Sequence, residues 1–296
     1  MKYILLIMTF FCTGLVAQKN QQQHVDSLRK VISQFEGEQK ISEYRKLIGR
    51  YFDNTMDTVL FQLFDDLEAE TKKLGDFDQQ RIYKFHRLRM YHNRYMFDKI
   101  VETAPKYLEF FRHHEKEDHI DYFNIYYMLI KSYIYTHDIE TAIAETEQMY
   151  KQANAMQNKA GMAISLYTMS DIYEAQLRTE DQEKALREAI DLFENVDDIN
   201  LFSLFANAYM SLCNMLISDK RLNEALEMMH KYEKLIRHAE APRFNVWELN
   251  LIYHIQTGEY DKAEMYCDTL DNVLPLQVWQ TNGSIHKIKI YAGRGQ

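Results

Sequence analysis

The chain has 296 residues, only 9 of them Gly and 3 Pro, and carries 35 Lys plus Arg against 44 Asp plus Glu, for a net charge of −9. Scarce turn residues exclude turn-rich all-β folds and the Gly-rich loops of dinucleotide folds, and predict helices joined by short polar turns. The acidic balance, with no basic stripe carrying interleaved aromatics, argues against a nucleic-acid partner.

Lys2, the apolar run from Tyr3 to Val16, and Ala17 before a sharp change to Gln18, Lys19 and Asn20 predict a secretory signal peptide over 1–17. The run falls short of the about 20 residues of a relaxed membrane span. The alternative is an uncleaved N-terminal anchor. Cys12 follows Phe10 and Phe11, where a lipoprotein signal wants small residues. Either reading places the chain outside the cytoplasm, in the periplasm or on the extracytoplasmic face of the inner membrane. Cys213 and Cys267 remain, an even pair that permits a disulfide. Their places on non-equivalent helices of successive repeats favour two free, buried thiols.

Residues 18–39 are expected to form an N-terminal cap, with Val25, Leu28, Ile32 and Phe35 on one stripe of a helix over 23–36. Beyond it a period appears. Tyr51, Tyr91, Tyr133 and Tyr173 recur at spacings of 40, 42 and 40, and similar steps reach Leu216, His254 and Tyr291. After each comes a short polar stretch and a second apolar helical pattern. In the Tyr133 unit, Thr136, His137 and Asp138 make the turn, and Ile139, Ala142, Ile143 and Thr146 begin the new face. One helical hairpin cannot bury its apolar face alone, so stacked hairpins repeat the same contacts. Ala142, Ala185, Ala225 and Ala263 fit as small residues at close helix approaches. Pro105 predicts a kink or restart in its helix. The longer interval from Tyr173 to Ala185 predicts an extended turn around Arg178 to Asp181.

The unit from Trp247 to Pro275 resembles a tetratricopeptide repeat. Trp247 takes the first aromatic position, Gly258 and Tyr260 the turn, Ala263 the small residue and Pro275 the closing proline. Asn250 and Leu251 replace the usual Leu-Gly pair, His254 replaces Tyr, and Cys267 replaces the second aromatic. The resemblance implies an all-α, right-handed superhelical solenoid of antiparallel hairpins over 40–296, with six units and the first helix of a seventh. It further implies that first helices line a concave binding face. In that register the inward positions are Phe85, Arg89, Asn93, Asn124, Tyr127, Lys131, Tyr135, Tyr167, Asp171, Asn207, Met210, Asn214 and Gln256. Aromatic, amide and charged groups together suit an extended peptide or a polar small ligand. The face lacks the paired Lys and Asn by which some members hold a terminal carboxylate. Replacing Tyr127, Lys131 and Tyr135 together by Ala is expected to abolish binding at unchanged stability.

Catalytic chemistry finds no foothold. His113, His114, Glu115, Glu117, Asp118, His119 and Asp121 resemble a metal site in composition, but His114 and His119 are five apart, off the spacing that points two ligands one way. A solvated turn is the expectation there. Tyr126 and Tyr133 read as core, while Tyr127 and Tyr135 stand between core and binding. No Ser sits in a G-x-S-x-G elbow. The expectation is therefore a non-enzymatic module with no catalytic residue, metal or cofactor, whose partner is a protein or peptide. The chain is also similar to the extracytoplasmic repeat regions of bacterial sensor and regulator proteins, which implies a segment of a larger signalling protein. The alternative is a stand-alone periplasmic scaffold. Ser284 to Tyr291 reads as the first helix of the seventh unit, with Ala292 to Gln296 as its following turn. Ile285, Ile288, Ile290 and Tyr291 would then lack a covering second helix, with packing on the sixth unit hiding part of them, as if more repeats and then a membrane span followed.

Overall fold

A computed structural model describes residues 23–52, 57–196, 201–274 and 276–295. The expected signal peptide and Pro275 lie outside them. No strand occurs among the described residues. A first helix, α1, spans 23–32. It is followed by α2 (Gly37–Tyr51), α3 (Asp57–Leu74), α4 (Phe77–Asn93), α5 (Phe97–His113), α6 (Ile120–Tyr135), α7 (Ile139–Ala155) and α8 (Lys159–Ala175). Then come α9 (Thr179–Phe193), α10 (Phe202–Ser218), α11 (Leu222–His238), α12 (Phe244–Thr257), α13 (Tyr260–Val273) and α14 (Leu276–Gly293). None is long and apolar enough to cross a membrane among the described residues.

The chain divides into two compact units, the first ending at Glu117 and the second beginning at Asp118. The division falls inside the stretch that the sequence presents as one array. In the first unit α2 pairs with α3 and α4 with α5. Val25 and Ile32 of α1 are buried, and Arg29 reaches Asp66 of α3 at 2.6 Å. In the second unit α6/α7, α8/α9, α10/α11 and α12/α13 are hairpins, and α14 packs on α13 and α12. The first helices also touch in series, α6 on α8, α8 on α10 and α10 on α12. This is the all-α hairpin repeat that the period implies.

The recurring positions acquire a physical meaning at the helix ends. The carbonyls of Tyr91, Tyr133, Tyr173, Leu216 and His254 each accept the amide five residues on, from Met96, Asp138, Arg178, Arg221 and Glu259, all at 2.9 Å. The residue four places on, Tyr95, His137, Leu177, Lys220 or Gly258, has positive φ in every case. Gly295, four past Tyr291, does too. The closures after Tyr91, Tyr133, Tyr173, Leu216 and His254 are Schellman motifs, which satisfy the last helical carbonyls by letting one residue turn left-handed. Four of the six left-handed positions lack glycine and carry the Cβ strain. Leu177 is 88% exposed, so nothing offsets its strain through burial. Leu177→Gly is therefore expected to raise the unfolding free energy by about 1 kcal/mol, read from urea midpoints. A lower midpoint would show that the Leu side chain holds the turn.

Two expectations about irregularity are corrected. α5 runs unbroken through Pro105. Ala104, Tyr107, Leu108 and Phe111 bury its other face, while Pro105 is exposed. The Val101 carbonyl that loses its amide partner lies on that solvated side. The turn before α9 is no longer than its neighbours, because Gln176, Leu177 and Arg178 close it and α9 begins at Thr179. The additional residues are helical. Ala142, Ala225 and Ala263 are the fourth residues of α7, α11 and α13 and fully buried, whereas Ala185 is the seventh of α9.

Close approach is most demanding at Gly161, where a Cβ would sit 2.6 Å from the Phe123 ring and 2.9 Å from the Ala153 Cβ. At the C-terminal end Ile290 is buried with Leu251, Ala263, Cys267 and Leu270 of the sixth unit, the packing that hides part of this end. It points at α12 and α13, leaving Ile285, Ile288 and Tyr291 exposed. Cys213 and Cys267 are free and buried, as expected. Burial pushes the Cys213 thiol up to about 12 and the Cys267 thiol up to about 11.

Candidate binding face on the first helices

All thirteen candidate residues lie on first helices, but they meet different fates. In the second unit, Tyr127, Lys131 and Tyr135 follow one another at four-residue steps on α6, and Tyr167 and Asp171 do so on α8. Equivalent positions meet where these helices touch. Lys131 Nζ donates to Asp171 Oδ2 at 2.9 Å, and its ammonium lies 5.2 Å from the Tyr135 ring centroid. The Tyr127 and Tyr167 rings lie 6.0 Å apart, and their hydroxyls interact. Burial pushes the Asp171 carboxyl above the ordinary carboxylate range, with Lys131 opposing the rise. Burial, with Asp171 adding, holds the Tyr127 hydroxyl well above its usual value.

Two candidates are not available to a ligand, since Asn124 and Tyr167 are buried. α6 is apolar around most of its circumference, with 121–126 and 128–130 all buried, so the inward register position of Asn124 faces packing. Tyr126 is core, its hydroxyl bonded to Glu145. Tyr133 is half-buried. Further along, Asn207 is exposed and Met210 half-buried on α10, and Gln256 is exposed on α12. Asn214 Oδ1 is buried without a hydrogen-bond partner. An orphaned buried acceptor is uncommon enough to mark a place where a donor belongs.

In the first unit, Arg89 and Asn93 are exposed on α4 and Phe85 is half-buried. The Arg89 guanidinium lies 5.4 Å from the Phe52 ring centroid and 5.9 Å from that of Phe85. α4 also carries a network that the register does not reveal. Lys84 Nζ donates to the Tyr83 hydroxyl at 2.7 Å and sits 4.6 Å from each of the Tyr83, Tyr107 and Phe110 ring centroids. The Tyr83 hydroxyl in turn meets Glu68, which Arg87 holds at 3.1 Å. The sequence signal for it is a cationic run, Arg81, Lys84, His86, Arg87 and Arg89, in an acidic chain.

The polar stretch from His113 to Asp121 forms local contacts. His113 pairs with Glu109 at 3.3 Å, His114 lies 4.4 Å from the Phe110 ring, and His119 Nδ1 accepts the Asp121 amide at 3.1 Å to start α6. Among the described residues no three His, Cys, Asp or Glu side chains converge as metal ligands would.

No protein-family model matches the chain, and no curated protein matches it in sequence. Solved structures do resemble it. The apo form of RapI matches with a TM-score of 0.62 at 13% identity, over 94% of this chain and 76% of that one. A Rap protein complexed with Competence and Sporulation Factor gives 0.61 at 13%, over 85% and 69%. Aspartyl phosphate phosphatase F from Bacillus subtilis gives 0.60 at 15%, over 83% and 67%. At such identities the likeness is one of fold.

Proposed function

We propose that this tetratricopeptide-like helical repeat protein is a non-enzymatic binding module whose partner is a peptide or extended protein segment lying along α6, α8 and α10. The observation that carries the reading is a run of exposed and half-buried aromatic, amide and apolar side chains, Tyr127, Tyr135, Asn207, Met210 and Asn214, on first helices that touch in series. Tyr135 and Asn207 offer exposed aromatic and amide contacts to an extended segment. A neighbour of the same fold was solved with Competence and Sporulation Factor bound, so such a fold accommodates a second molecule. Another neighbour is named a phosphatase, but fold likeness alone transfers no activity.

Residues 1–17 support export, and with it a role as the extracytoplasmic segment of a larger signalling protein. A stand-alone periplasmic scaffold is the second reading. Selection from a random peptide library on the mature chain tests the binding proposal. Enriched peptides are expected to lose roughly tenfold or more in affinity on Tyr135→Ala with Asn207→Ala, and again on Asn214→Leu, with the melting temperature nearly unchanged. A library that yields no binder, or binders indifferent to all three changes, would sink it.

A further inference from the structure

The first unit holds a half-open cavity of about 270 Å³ between α2, α3 and α4. Ile48, Phe52, Phe64 and Leu67 form its apolar wall, and Arg45, His86 and Arg89 supply its polar groups. Among the described residues no Asp or Glu lines it. That is unusual in a chain with a net charge of −9. Arg29, Arg81, Arg87 and Arg112 of the same unit all pair with carboxylates. Among the described residues Arg45 and Arg89 do not. Arg45 Nε is buried without a hydrogen-bond partner, and the guanidinium's other contact is one long bond, 3.4 Å, to the Gln79 carbonyl. Asp76, the acid whose charge acts on Arg45, is engaged at 2.9 Å as the N-cap of α4. Arg89 rests against aromatic rings. Burial, with Arg89 and Arg45 adding, pushes His86 down to about 4, so at neutral pH its ring offers hydrogen bonding without charge.

A buried guanidinium nitrogen without an acceptor carries an unmet desolvation penalty. A carboxylate answers that fork better than any neutral group does. We propose that this cavity binds a small amphiphilic carboxylate, its anionic head at Arg45 and Arg89 and its apolar body against Phe52, Phe64 and Leu67. Two cations over an apolar wall suit one negative charge with a hydrocarbon body better than a compact, strongly hydrated inorganic anion. The carboxylate comes either from a free small molecule or from a peptide ending in an apolar residue. This site is separate from the peptide surface proposed on α6 to α10, and its test is independent of that reading.

Calorimetric titration of the mature chain with 4-phenylbutyrate and octanoate, against 4-phenylbutyramide and acetate, tests the chemistry. Peptides ending in Phe, with free or amidated termini, separate the two sources. The acids or the free-ended peptide are expected to bind, and the amides and acetate to fail. Arg45→Gln and Arg89→Gln should each weaken binding by roughly tenfold or more. Gly49 lines the cavity, and a Cβ there would have nothing within 4 Å. Gly49→Phe should therefore fill the space and abolish binding at an unchanged melting temperature. Binding of acid and amide alike, binding that survives Gly49→Phe, or no binding by any probe at millimolar concentration overturns the proposal.

Discussion

Lys131→Met is expected to lower the unfolding free energy by about 3 kcal/mol at neutral pH. The Lys131 and Asp171 side chains are only 14% and 11% exposed, so water screens their pair weakly. Removing the ammonium leaves a desolvated carboxylate against Tyr127 and Tyr167. The double variant Lys131→Met with Asp171→Leu should recover to within about 1 kcal/mol of the parent, because the uncompensated charge has gone. The acid side supplies a second readout. Burial already holds the Asp171 carboxyl above its unfolded value, and loss of Lys131 removes the group opposing that rise. A carboxyl raised in the folded state takes up its proton there first, so stability falls as pH rises through the raised pKa. The deficit of Lys131→Met should thus be smallest at the acid end of a urea-midpoint series. A deficit independent of pH would assign the loss to packing alone. The triple replacement of Tyr127, Lys131 and Tyr135 consequently cannot leave stability unchanged, and cannot isolate binding.

The second large effect is alkaline. Lys84 is 5% exposed, and burial pushes its ammonium down to about 8. Below pH 8 the amine is protonated in folded and unfolded chains alike, and its desolvation penalty is present in full. Above pH 8 the folded chain releases the proton, while the unfolded chain, with an ordinary lysine pKa near 10.4, keeps it. At this group the unfolded state then binds more protons, so the contribution of Lys84 to stability rises with pH. The difference between the parent and Lys84→Met should therefore shift by about 2–3 kcal/mol in the parent's favour from pH 8 to 10, while the buried Cys213 and Cys267 thiols, held above their unfolded value, lower both profiles alike. Beyond pH 10 the buried Tyr83 and Tyr107 reverse the trend, since their hydroxyls stay protonated in the fold while unfolded tyrosines ionise. A parent profile parallel to that of the variant would mean that Lys84 is hydrated.

The fold was legible because helix ends leave a periodic trace. The positions that recur from Tyr91 to His254 are the residues whose carbonyls close each turn, and the step between them is one hairpin. Pro105 misled because a helix tolerates proline where the lost carbonyl partner faces water. Ala185 misled because an alanine seven residues into a helix resembles, by distance alone, one placed four residues in beyond a longer turn. The site was legible only as helix faces. Register placed Lys131 opposite Asp171 but did not say that they satisfy each other, since that depends on how closely α6 and α8 approach. The cavity beside Arg45 could not be read at all, because it depends on which arginines in α2 and α4 find carboxylates across the packing.

The left-handed turn residues carry a consequence for how such a chain diversifies. Tyr95, His137, Leu177 and Lys220 share nothing but a backbone angle. The loop shape is held by the five-residue amide-to-carbonyl bond and by the helices on either side, so the side chain at the bend is nearly free to drift. Mutation can then erase the glycine and tyrosine signature at one repeat after another for about 1 kcal/mol each, with the hairpins unmoved. An architecture that stores its bends in main-chain bonds outlives its own sequence pattern, which accords with a chain that superposes on solved helical repeats at 13% identity and matches no family model.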